Sequence, residues 1–103
     1  MRHILQEKME VLPDKRQEFE QAAQWLIESQ PKEKGNSLKS IYQDLCKPNT
    51  FYYLEEWDSR KNLQAHIQTD NFRALLGGMK VLGEITEAKI ISGAREEEFE
   101  IAP

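Results

Sequence analysis

The stretch 51–72, FYYLEEWDSRKNLQAHIQTDNF, carries the side chains of this chain best suited to chemistry. Tyr53, Glu55 and Trp57 recur at every second position, so a strand here places all three on one face. Downstream, His66 falls in a helical stripe with Leu63 and Ile67. Such a set supports proton transfer on a planar organic molecule. His66 would act as a base or donate to a phenolic oxygen, with a pKa near the working pH. Glu55 would orient His66 or serve as a base itself. Trp57 would wall a pocket and offer its indole N–H, with Tyr53 and Tyr42 lining the same space. Each residue also has a purely structural reading. Trp57 closes the end of a sheet with its N–H on backbone. His66 bridges elements through a carbonyl or Glu55, Glu55 sits in a buried ion pair, and the tyrosines are core-edge residues. A carboxylate on an aromatic face must be paired or titrate high. Glu7 is a second carboxylate of this kind, pointing inward or toward a polar mouth.

The elements that position these groups follow from periodicity. Residues 3–11 alternate, with Leu5, Glu7, Met9 and Val11 on one face, and predict a first strand. Pro13 and Asp14 open a helix whose apolar stripe is Phe19, Ala22, Ala23, Leu26 and Ile27, ending before Pro31. Residues 37–45 and 50–57 predict two strands joined by a turn, and Asp58 or Ser59 caps the next helix. Thr69 or Asp70 caps again before Phe72, Leu75, Leu76 and Met79, and Gly77-Gly78 are expected to end or loosen that segment. Residues 85–92 predict the last strand. The order β-α-β-β-α-β predicts an α+β, ferredoxin-like unit: an antiparallel sheet with its helices on one face.

Composition excludes several classes of function. The chain of 103 residues is read as one domain, 1–103, with a charged tail over 94–103. A charged fraction of 31% and no long apolar run exclude a membrane span, and MRHILQEKMEV has no apolar signal core, so a cytoplasmic location is expected. The net charge of −4, without a basic stripe, argues against a nucleic-acid partner. Cys46 is the single cysteine, which rules out an intrachain disulfide and a Cys-based zinc site. There is no Gly-rich phosphate loop, metal-ligand spacing or Ser/His/Asp set. No flavin, haem or metal is therefore expected, and any catalysis must use the substrate's own reactivity.

The third strand is apolar on both faces. Phe51, Tyr53 and Trp57 point one way, Tyr52 and Leu54 the other. Two helices cover only one face of a sheet, so Tyr52, Leu54 and Ile90 would stay uncovered in a monomer. A homodimer packed sheet to sheet is the simplest cover. Phe99 and Ile101 alternate with Glu98 and Glu100, which would let the tail add a short strand to the partner.

Glu55, Trp57, Asp58, Leu63 and His66, followed by Phe72, with Gly35-Asn36 and the Asp44…Pro48 turn, make the chain resemble the antibiotic biosynthesis monooxygenase domain, over residues 1 to about 93. The resemblance implies a dimeric α/β barrel with a pocket between sheet and helices in each subunit. It implies a cofactor-independent monooxygenase that oxidises a quinol or polycyclic aromatic with dioxygen. The alternatives within that resemblance are a small-molecule-binding dimer without turnover and an isomerase of phosphorylated sugars. The haem-degrading branch fits poorly. Glu7 stands where that branch has asparagine, and about Leu76 where it has a ligating histidine.

Overall fold

The computed structural model describes residues 1–93 and 95–102. β1, His3–Val11, follows the alternation: His3, Leu5, Glu7, Met9 and Val11 are buried and the residues between them half-buried. Pro13–Lys15 form a 3-10 turn that runs into α1, Arg16–Ser29. Phe19 and Leu26 are the buried members of its stripe, and Trp25 is 67% exposed. β2, Asn36–Gln43, and β3, Thr50–Trp57, form a hairpin. In its turn, Asp44 Oδ1 accepts the backbone N–H groups of Cys46 and Lys47 at 2.8 and 3.1 Å. Gly35, before β2, has φ +83°, and a side chain there would run into the Asp58 carboxylate.

α2, Arg60–Ile67, is capped by Ser59, whose Oγ accepts the Asn62 N–H at 3.1 Å. α3, Asp70–Leu82, is capped in the same way by Thr69, which accepts the Phe72 N–H at 3.2 Å. Gly77 and Gly78 do not end α3. Each costs a helix about 1 kcal/mol relative to alanine. Burial of Met79, with Leu82 packed on the core beyond it, offsets that cost. β4, Gly83–Ser92, completes the sheet.

The four strands lie antiparallel in the order β2-β3-β1-β4, the ferredoxin-like arrangement, with the second helical connection split into α2 and α3. The core lies between the sheet and the helices, where Leu5, Met9, Tyr53 and Trp57 meet Phe19, Leu63, Phe72 and Met79. The opposite sheet face holds Ile4, Leu38, Tyr42, Tyr52, Leu54 and Ile91 by register. Ile91, not Ile90, is the isoleucine on that face. Ile90 pairs with Leu5 and packs on the core, while Ile91 pairs with Ile4. A bulge explains the exchange. Met9 pairs with Ile85 and Lys8 with Glu87, so Thr86 is skipped and the inward parity of β4 reverses beyond it.

Residues 95–102 of the tail form no regular structure, and Phe99 and Ile101 are exposed. Ala94 and Pro103, the ends of the segment expected to pair with a partner, lie outside the described residues. Among the described residues no helix is long and apolar enough to cross a membrane.

Candidate active site

β3 is an inner strand, hydrogen-bonded to β1 on one side and β2 on the other. Its inward side chains are therefore enclosed: Tyr53 and Trp57 are 1% exposed and Glu55 is fully buried. α2 lowers His66 onto the same spot. Glu55 accepts the Trp57 indole N–H at 3.0 Å and a short hydrogen bond from the Tyr53 hydroxyl. His66 Nε2 lies 2.8 Å from Glu55 Oε2, close enough for an ion pair, although the N–H does not point squarely at the oxygen. On the other side of the ring, Nδ1 is 2.9 Å from both oxygens of Glu33. The imidazole is flanked by Trp57 and Phe72, each with ring centroids 4.8 Å away.

Electrostatics fix the charge states. Burial alone would raise the Glu55 pKa, but the close polar contact and charge of His66, with hydrogen bonds from Tyr53 and Trp57, bring it below the ordinary value. Burial alone would lower His66. Glu55 and Glu33 outweigh it and hold the ring above its ordinary pKa, as an imidazolium. Two aromatic rings lie against that cation, Trp57 tilted and Phe72 in a T-shaped contact. Burial, then the Glu55 charge, push the Tyr53 hydroxyl far up, so it remains a donor.

Glu7 behaves differently. It is 2% exposed, sits opposite Tyr53 in the ladder, and its Oε2 has no hydrogen-bond partner among the described residues. Burial and the neighbouring Glu55 raise its pKa to about 7, against an opposing pull from His66. Two buried carboxylates are thus pushed apart, one held ionised and one poised near neutrality, a division typical of acid–base pairs. The sequence places the near-neutral ionisation on His66, whereas the structure gives it to Glu7.

Of the residues singled out in the sequence, the structure brings His66, Glu55, Trp57 and Tyr53 together. Tyr42 is set apart. It pairs with Tyr52 on the opposite sheet face and is 48% exposed. It lines a cleft of about 540 Å³ that wraps round the β2 edge beside α1. Glu33 was not singled out, because nothing in the polar loop PKEKG marks it. Only the fold returns it to His66. A second cleft, of about 380 Å³, opens between α1 and α3. Neither cleft is lined by Tyr53, Glu55, Trp57 or His66, but Ile41 lines both and is the cross-strand neighbour of Tyr53. Among the described residues, no group of three His, Cys, Asp or Glu side chains is placed to hold a metal ion.

An antiparallel sheet with helices on one face, enclosing a carboxylate–imidazole cluster with aromatic walls, defines an α+β ferredoxin-like domain with a buried polar site. The chain belongs to the antibiotic biosynthesis monooxygenase family, whose sequence profile matches residues 2–77. It is 32% identical over 79 residues to YcnE of Bacillus subtilis, a protein provisionally named a monooxygenase, covering 77% of this chain and 83% of that one. A conserved protein from Methanosarcina mazei Go1 superposes with a TM-score of 0.75 at 31% identity, over 88% of this chain and 89% of that one. SnoaB, a cofactor-independent oxygenase from Streptomyces nogalater, shares the fold at 14% identity, with a TM-score of 0.71 over 96% and 98% of the two chains.

Proposed function

We propose that the protein is a cofactor-independent monooxygenase that oxidises an electron-rich quinol or polycyclic aromatic with dioxygen. The observation that carries this reading is His66, held as a cation by Glu33 and Glu55 between two aromatic rings in a buried site. A phenol or anthrone that gives up a proton becomes an anion able to reduce dioxygen. One oxygen atom ends in the product carbonyl and the other in water. The protein need only accept the proton, stabilise the oxyanion and exclude water. Glu7, with its unpartnered Oε2 and a pKa raised to about 7, is the group available to take the proton, His66 supplies the fixed positive donor, Glu55 keeps it charged and oriented, and Trp57 and Tyr53 form the aromatic wall. Membership of the family and the provisional name of YcnE support the reading.

Oxygen consumption on a panel of quinols and anthrones tests it. His66→Ala should lower turnover by about 10²-fold or more, as the loss of a positioned oxyanion-stabilising donor does, with the fold retained. Trp57→Phe should mainly raise KM. A second reading, a binding dimer without turnover, is favoured by the closure of the cluster, since Trp57, Glu55 and His66 line neither cleft. It predicts that His66→Ala lowers Tm and that the wild type consumes no member of the panel. An isomerase of phosphorylated sugars needs free cations at the site. Lys39, which is largely buried there, is instead engaged by Glu33 at 3.7 Å and Gln30 at 3.2 Å.

The oxygenase would work as a homodimer. Ile4, Tyr52, Leu54 and Ile91 form an apolar centre on the sheet face away from the helices, and a second sheet would cover it. Phe99 and Ile101 in the exposed tail are available to the partner. Sedimentation at micromolar concentration should show a dimer, and Leu54→Glu should dissociate or unfold it by placing an unpaired charge in the interface. A wild-type species of monomer mass would overturn this.

A further inference from the structure

The cluster around His66 has one wall that is built from neither a helix nor a strand. Glu55 and Trp57 reach the ring from β3, and Phe72 reaches it from α3. Glu33 reaches it from residues 30–35, which join α1 to β2 without regular structure. Its side chain is 31% exposed, against 4% for His66 and none for Glu55. Little apolar surface holds this segment down, since its sequence is QPKEKG and Pro31, Lys32 and Lys34 are exposed. What closes it is polar. Both Glu33 oxygens lie 2.9 Å from His66 Nδ1, and Oε1 lies 3.7 Å from Lys39 Nζ. Lys39 also donates to Gln30 Oε1 at 3.2 Å. Beyond the segment the chain is fixed, because the Asn36 amide donates to the carbonyls of Leu38 and Glu56 at 3.0 Å. Gly35, at the junction, has φ +83° and is the natural pivot.

We propose that residues 30–35 form a hinged strap over the buried cluster, latched by Glu33 on His66 and Lys39, and that the strap swings away at Gly35 to open the way to His66. Neither cleft is lined by His66, so a molecule that reaches the ring must displace part of its wall. Moving β3, α2 or α3 would break strand pairing or helix turns. Moving the strap breaks neither, and it exchanges the contacts of a partly exposed carboxylate for water. Glu55 stays on the other side of the ring, so His66 keeps a counter-charge while the strap is open. Closing again would shut water out, as lids over reactive sites do. The inference rests on the oxygenase reading only in taking this cluster as the site, and opening is measured without substrate.

The Asn36 N–H donates to the Glu33 carbonyl at 3.2 Å, so its hydrogen exchange reports on the strap. In the wild type this amide should exchange by local opening, at a rate insensitive to urea below the unfolding transition. The Tyr53 amide, on inner strand β3, should exchange only on global unfolding. Glu33→Ala should speed exchange at Asn36 about tenfold or more relative to Tyr53, since a hydrogen bond to a charged group is worth about that factor. Lys39→Met leaves the His66 contact in place and should speed it by about threefold, as a partly exposed ion pair does. Lys34→Ala, an exposed position on the same strap, should stay within about twofold of wild type. A small uncharged nitroxide in solution should broaden the His66 ring C–H signal more in Glu33→Ala than in wild type. The ring of His3, the other histidine, serves as the unchanged reference. The inference is overturned if the Asn36 and Tyr53 amides of the wild type exchange together, if Lys34→Ala matches Glu33→Ala, or if the His66 signal is not broadened further. A wild type whose strap opens locally but which consumes no quinol would keep the strap and remove the oxygenase. Quinol consumption by a protein whose Asn36 amide opens only on global unfolding would do the reverse.

Discussion

Replacing Glu55 with alanine should cost about 3–5 kcal/mol of folding stability, the range for removing one partner of a buried ion pair. The carboxylate is fully buried and serves three groups at once: the Tyr53 hydroxyl, the Trp57 indole and the His66 ring. Its loss leaves two enclosed donors without an acceptor and a cation held by Glu33 alone. A domain of this size has roughly 5–15 kcal/mol in total, so the variant should be close to unfolding at ambient temperature. Urea unfolding of wild type, Glu55→Ala and the Glu55→Ala/His66→Ala double variant measures this. Removing both charges should recover part of the loss, since the orphaned cation is then gone. A cost below about 1 kcal/mol for the single variant would show a solvated cluster, as surface ion pairs contribute no more than that.

Glu7→Gln should do the opposite at alkaline pH. Folding raises the Glu7 pKa from 4.5 to about 7, so between these values the folded chain keeps a proton that the unfolded chain has released. Stability from this group therefore falls as pH rises through that window. Above about pH 7, Glu7 costs the fold about 3 kcal/mol relative to acid, at 1.36 kcal/mol per pH unit. Glutamine carries no charge at any pH and removes the penalty. The variant should match wild type near pH 4 and exceed it by up to about 3 kcal/mol near pH 8, read as the difference in urea midpoints. The other two groups have their own signs. His66, raised, contributes stability below its ordinary pKa that is lost as pH rises through its higher folded value. Glu55, lowered, contributes stability above 4.5 that is lost as pH falls through its folded value. Glu7 and His66 place the optimum on the acid side of neutrality, and Glu55 sets its lower limit. Parallel pH profiles for wild type and Glu7→Gln would show that Glu7 does not titrate in the folded protein.

The parts of this molecule legible in the sequence are those fixed by local rules. Alternation places Tyr53, Glu55 and Trp57 on one face, and Ser59 and Thr69 cap the helices whose starts they mark. What was not legible depends on distant residues or on competing energies. Glu33 lies in a charged loop and meets His66 only because the chain returns over 33 positions. Ile90 and Ile91 are chemically identical, and a skipped Thr86 decides which is buried. The glycines of α3 would end an isolated helix, but the apolar residues beyond them hold it against the core. Tyr42 has the composition of a pocket residue, and only its pairing with Tyr52 reveals its face.

Because β3 carries the site on one face and the apolar patch on the other, its length is less free to vary than its composition. A single codon inserted between 51 and 54 would turn Glu55 and Trp57 outward and bring Leu54 and Glu56 in, since side chains alternate with a period of two. Buried network and open apolar face would be lost together. Relatives of this protein should therefore differ in length in the Asp44–Asn49 turn, and should keep the count of residues from Thr50 to Trp57 unchanged even where every side chain between them differs.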